Sequence, residues 1–148
     1  MDNNSDTYGR TIYLGASRRR LEDAEALYNQ ERWNGAIYMG GYAIECALKS
    51  LLCHEEDIVN FKKTKVFKRL KGSNLHDLEQ LLEASYICKG VKDSKKDQSL
   101  KKAWDTVKLW QNDKLRYSDK KGDKIEASKF IYAVKILHGY FLAKLQAY

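Results

Sequence analysis

The chain predicts an all-α fold, an antiparallel up-and-down bundle of about five helices. Three observations carry that expectation. The 148 residues contain no proline, the residue that a helix interior tolerates least. Apolar residues recur at three- and four-residue spacing in one segment after another, the period of a helix face. Strand-like alternation with a period of two nowhere competes with that pattern. At 43% apolar and 32% charged, the composition suits a packed core and argues against both a disordered chain and a membrane protein. A chain of this length builds one core, so residues 1–148 are read as a single domain.

The elements follow in order. The first helix is expected over residues 7–30, where Leu14, Leu21, Ala24, Leu27 and Tyr28 share a face. Ser5, Asp6 and Thr7 are its candidate N-caps, because short polar side chains accept from free first-turn N–H groups. Polar residues 29–32 make a short turn. The second helix, over 33–53, is the most apolar, with Trp33, Ile37, Ile44, Leu48, Leu51 and Leu52 in one stripe. Its paired Gly40 and Gly41 each cost a helix about 0.5–1 kcal/mol relative to alanine. They mark a place where a neighbouring helix approaches closely, so this is the expected central helix.

Residues 61–76 turn basic. Lys62, Lys63, Lys65, Lys68, Arg69 and Lys71 occur there with no acid among them. Gly72, Ser73 and Asn74 then break the chain. A third helix is expected over 76–87 with Asn74 as its cap, and Leu75, Leu78, Leu81 and Leu82 inward. Residues 88–99 read as a mobile connection. Leu100, Ala103, Trp104, Val107 and Trp110 give a fourth helix, and 112–124 a polar loop carrying Leu115, Arg116 and Tyr117. The last helix is expected over 125–146, with Phe130, Ile131, Val134, Leu137, Tyr140, Phe141 and Leu145 inward.

Several function classes are disfavoured. The polar N-terminus lacks the apolar core of a signal peptide, and no run nears the ~18 apolar residues of a membrane span. Cys46, Cys53 and Cys88 are an odd count without a C-x-x-C pair, as expected of buried reduced thiols in a cytoplasmic protein. His54, His76 and His138 lie far apart, so no zinc spacing arises and neither metal nor cofactor is expected. Neither a Walker loop, a G-x-G-x-x-G nor a G-x-S-x-G is present. The net charge of +7 permits an anionic partner.

The polar residues set in apolar surroundings are the candidate site. Glu45 lies in the most apolar helix, four residues before Lys49, the favourable order for an ion pair along a helix. It is also suited to anchor a cation from another helix, such as Arg116, because a buried carboxylate needs such a partner. Arg116, between Leu115 and Tyr117, is either held by a carboxylate or free to grip phosphate with its planar fork. His76, before Asp77, is either a structural group or a proton donor and acceptor near neutral pH. The basic run 62–71 is either a solvated loop or a phosphate-binding edge aided by Phe61 and Phe67.

Taken together these residues resemble the HEPN family, the higher eukaryotes and prokaryotes nucleotide-binding domain. The resemblance begins at Ala24-Glu25-Ala26-Leu27 and continues through Arg32-Trp33-Asn34-Gly35-Ala36-Ile37. Its most specific part is Gly41-Tyr42-Ala43-Ile44-Glu45-Cys46-Ala47-Leu48-Lys49. His76-Asp77-Leu78, Leu81-Leu82, Trp110 and Leu115-Arg116-Tyr117 follow in order, so the resemblance spans nearly the whole chain. It implies a helical bundle, commonly a homodimer, paired with a minimal nucleotidyltransferase or a toxin–antitoxin partner, or handling nucleotides and RNA.

Many members of that family are metal-independent ribonucleases whose motif is an arginine, four to six residues, then a histidine. No histidine follows Arg116 at that spacing. Six residues do separate Arg69 from His76, yet they lie early in the chain, whereas the family's motif lies near its later helices. The expectation is therefore a cytoplasmic HEPN component of a toxin–antitoxin or defence-type system that binds nucleotide, RNA or a nucleotidyltransferase without cleaving RNA. Glu45, Lys49, His76, Arg116 and Tyr117 would line or brace the site, and the basic run would meet phosphate. The alternatives are a metal-independent endoribonuclease using Arg116 and His76, and a non-catalytic dimerisation module.

Overall fold

A computed structural model describes residues 8–93, 98–110, 114 and 121–148. Among these the regular structure is helical, with no strand beyond one isolated bridge between Gly9 and Asn60. Among the described residues seven α-helices have defined bounds, against the five expected: α1 (Arg10–Asn29), α2 (Trp33–Glu56), α3 (Lys65–Arg69), α4 (Leu78–Glu83), α5 (Cys88–Lys92), α6 (Gln98–Val107) and α7 (Lys124–Leu145). Short 3-10 turns at Phe61–Lys63 and Gly72–His76 fill the stretch between α2 and α4.

The long helices match their periodicity, and the short ones depart from it for local reasons. α1 starts at Arg10 with Gly9 at its N-cap and no side-chain cap. The Arg10 N–H instead donates to Val59 O at 2.8 Å, so the chain after α2 satisfies a donor assigned to Ser5, Asp6 or Thr7, which lie outside the described residues. The expected third helix does not begin at His76. Residues 72–76 tighten into a 3-10 turn, and Asp77 becomes the cap, accepting from Glu79 N at 3.0 Å and Gln80 N at 3.2 Å. Asn74, expected as the cap, accepts from the Gln80 side chain instead, at 3.0 Å. Of the expected connection 88–99, residues 88–92 are helical because Val91 is fully buried and Lys92 is held by Glu79 at 3.0 Å.

α1 and α2 form a tight hairpin. Glu31 takes a left-handed conformation (φ 61°), Arg32 N donates to Leu27 O at 2.9 Å, and Glu31 N to Tyr28 O at 3.0 Å. That is a Schellman closure, built here without glycine. The far ends also meet, Ser50 Oγ donating to Arg10 O at 2.8 Å, so the two helices run antiparallel. α7 lies along α2 in the same direction. Asn34 N donates to Lys121 O at 3.0 Å near one end, and His54 stacks on Tyr148 at the other.

α2 is the central helix, with fifteen buried residues. Its paired glycines do what their sequence position suggests. A Cβ on Gly40 would press on Phe130 and Val134 of α7, each at 3.3 Å, and one on Gly41 would overlap the Trp110 indole. Trp110 is buried there in edge contact with Tyr42, at 5.3 Å between ring centroids. The glycines thus replace side-chain volume with helix and indole contact, which dispersion favours at close range.

Candidate functional site

Three of the expected residues meet on one face of α2. Glu45 sits mid-helix with its side chain 4% exposed. Its Oε2 accepts from the Lys49 ammonium at 2.9 Å, one turn on, and from His76 Nδ1 at 2.8 Å. A carboxylate oxygen only accepts, so the imidazole proton of this bond is on Nδ1 and Nε2 holds the free lone pair when the ring is neutral. His76 reaches Glu45 from the 3-10 turn ahead of α4, and its side chain is 46% exposed.

Lys49 stands behind this pair, its side chain 7% exposed. The ammonium lies 5.6 Å from the Tyr13 ring centroid and 5.4 Å from that of Phe61, within range of cation–π attraction. Buried this way, Lys49 neutralises Glu45 and braces it, and only His76 of the three faces solvent. The Glu45 charge has two further effects. Burial first, then Glu45, pushes the Cys46 thiol up to about 12, so it is unreactive near neutral pH. Burial, Cys46 and Glu45 together also raise the Tyr13 phenol.

One atom is unaccounted for. Glu45 Oε1 is buried and has no hydrogen-bond partner among the described residues. A lone buried acceptor of this kind is costly, at about 1–3 kcal/mol, and such costs are tolerated mostly at sites kept for another purpose. Arg116 and Tyr117, the other expected members, lie outside the described residues.

The basic run takes a mixed form. Lys62, Lys63, Lys65, Lys68, Arg69 and Lys71 are all exposed, and none forms an ion pair among the described residues. Lys62 sits over the Tyr8 ring at 3.9 Å. The two phenylalanines expected to help are not available as stacking surfaces. Phe61 is buried in edge contact with Tyr13 at 5.9 Å, and Phe67 packs edge-on against Phe61. Arg69 does not face His76. It lines a hollow beside residues 52–56 of α2, whereas His76 binds Glu45, about ten residues and so about 15 Å lower on the same helix.

Tyr13 and Tyr86 were missed by the sequence reading. Tyr13 touches the site only because α1 packs on α2. Tyr86, in the turn after α4, is 81% exposed and carries no periodic signal. The described residues contain no group of three or more His, Cys, Asp or Glu arranged to hold a metal ion. The three cysteines form no disulfide; Cys53 is buried as expected, and Cys46 and Cys88 are only half-buried. Among the described residues no helix is long and apolar enough to cross a membrane.

A model of the HEPN domain family matches residues 12–144, which takes in Glu45, Lys49, His76 and the whole basic run. No curated protein and no solved structure matches the chain significantly.

Proposed function

The chain belongs to the HEPN domain family, and from that premise we propose that it is a nucleotide- or RNA-binding helical module that does not itself cleave RNA. The observation that carries the reading is the Glu45–His76 bond of 2.8 Å. It fixes an imidazole at the surface with Nε2 outward, on a chain whose exposed run 62–71 carries six cations that form no ion pair among the described residues. Nε2 of the neutral ring can accept from a ribose hydroxyl, a ring carrying both protons can donate from Nε2 to a phosphate, and the lysines supply long-range attraction for the phosphates. The up-and-down bundle would act as a cytoplasmic homodimer, working with a nucleotidyltransferase partner in a toxin–antitoxin or defence-type system.

Titration calorimetry with ADP and with a short single-stranded RNA tests this. Wild type should bind one of them, and His76→Ala should weaken it at least about fivefold, the loss of one hydrogen bond to a charged group. The variant should stay folded and lose about 1 kcal/mol of stability, the net worth of one hydrogen bond to the buried carboxylate. Equal binding by both proteins, or none by wild type, overturns the reading.

A second reading has its own observation. A carboxylate-held histidine with an open Nε2 is also the geometry of a general base, so a metal-independent ribonuclease with His76 moving the 2′-OH proton is the alternative. RNA cleavage in EDTA that His76→Ala abolishes would establish it.

A further inference from the structure

About 15 Å along α2 from His76, the C-terminal end of the helix carries a second set of features that the Glu45 site does not use. A hollow of about 320 Å³ opens there over an apolar floor of Leu52, Ile58 and Ala84. Lys65 and Arg69 stand on its rim, spaced i, i+4 on α3 and so on one face of it. Tyr86 also lines the hollow and is 81% exposed. A further aromatic pair lies near. His54 and Tyr148 stack at 5.6 Å between centroids and 26° between planes, and the Tyr148 phenol is close enough to Glu55 and Tyr86 to be raised by them, after burial.

Glu55 and Glu56 also line the hollow, and their oxygens are tied to the fold on its inner side. Glu55 accepts from Ser85 Oγ at 2.6 Å and from Tyr86 N at 3.2 Å. Glu56 accepts from Lys65 N at 2.8 Å and Val66 N at 3.3 Å, capping α3. Asp57 faces Arg10 at 3.8 Å. Glu55 also sets the height of Tyr86, because its bonds to Ser85 and to the Tyr86 backbone pin the turn that presents the ring. Neither the Lys65 ammonium nor the Arg69 guanidinium is in an ion pair among the described residues.

An exposed ring on an apolar hollow, flanked by two open cations, is the arrangement that holds an unpaired base and its phosphates. A hollow of this size is at the small end for ligand pockets and fits one nucleotide unit. The geometry points to a seat for single-stranded RNA here, one base stacking on Tyr86 and the adjoining phosphates meeting Lys65 and Arg69. A duplex keeps its base faces stacked and cannot use it. This seat rests on the reading of the chain as a nucleotide- or RNA-binding module and specifies where the strand lies. From it, a short strand running along α3 would pass toward His76.

The test is fluorescence anisotropy of a short labelled oligouridine with the full chain, between about 50 and 200 mM salt. Tyr86→Ala should weaken binding about tenfold, within the range for one lost base–aromatic stack, and Tyr86→Phe should bind like wild type. The double variant Lys65→Ala, Arg69→Ala should lower the slope of log affinity against log salt by about 1.4, the loss of two phosphate contacts on a single strand. All of these side chains are exposed, so the variants fold. If wild type binds oligouridine and Tyr86→Ala binds equally well, the seat is elsewhere and the inference falls while the functional reading stands. If wild type binds blunt duplex RNA as tightly as the single strand, the inference falls as well. If wild type binds no oligouridine, the inference falls, and the functional reading then stands or falls on ADP binding.

Discussion

Two carboxylates, Glu45 on α2 and Glu79 on α4, each accept two hydrogen bonds on a single oxygen, and the two pairs of donors are of different kinds. Glu79 Oε1 accepts from the buried Trp104 indole at 2.8 Å and from Lys92 at 3.0 Å. Both donors belong to packed elements, so this acid ties α4, α5 and α6 together. Glu45 Oε2 accepts from a buried lysine and from a half-exposed histidine, and among the described residues its Oε1 has no donor. Every bond of the first cluster is spent within the fold. The second presents an imidazole to solvent and leaves an acceptor unused.

The contrast breaks most sharply at Glu45. Glu45→Ala leaves Lys49 as an uncompensated buried charge and should cost about 3–5 kcal/mol in urea unfolding. Replacing the pair together, Glu45→Met with Lys49→Met, should recover most of that loss, because a buried ion pair contributes little beyond its hydrophobic equivalent. The double variant would keep the fold and leave His76 unheld. A double variant as unstable as Glu45→Ala would mean that the pair itself holds the bundle together.

The Glu79 cluster should respond more mildly. Trp104→Phe removes one donor and should cost about 1 kcal/mol, the net worth of one hydrogen bond. This cluster also has a pH signature. Burial pushes the Glu79 carboxyl up, but the hydrogen bonds from Lys92 and Trp104 and the lysine charges outweigh it and hold it below its ordinary 4.5. A carboxyl lowered by folding contributes stability that is full above its unfolded pKa and is lost as pH falls through its lower folded value. Wild type should therefore lose stability on acidification below about pH 4.5, and Trp104→Phe should lose less over that interval. Parallel acid limbs for the two proteins would show that the indole does not act through this carboxylate.

Much of the fold was legible because it is local. The stripes of α2 and α7 survive into the structure, and the Gly40–Gly41 step does mark close approach. The Glu45–Lys49 pair was readable because four residues is one turn. The His76–Glu45 bond was not, since it joins positions 31 apart across a stretch of short helical turns. No period in that stretch says which way a side chain will face. Glu79 looked like any acid in a first turn, because its partners Trp104 and Lys92 arrive from other helices. Tyr86 lies in a turn, where nothing distinguishes an offered ring from an idle one. The expected third helix failed for a related reason: the leucine stripe was read correctly, but Asp77 competes better than Asn74 for the free N–H groups and starts the helix later.

The most direct test of the central claim is the imidazole of His76 itself. Long-range proton–nitrogen NMR of histidine-labelled protein reads which ring nitrogen carries the proton, and His76→Ala assigns the signal. The account predicts a proton on Nδ1, held by Glu45, and an Nε2 resonance that shifts when single-stranded RNA or ADP is added. A ring whose Nδ1 carries no proton, or an Nε2 signal unmoved by saturating ligand, would contradict it and return His76 to a structural role.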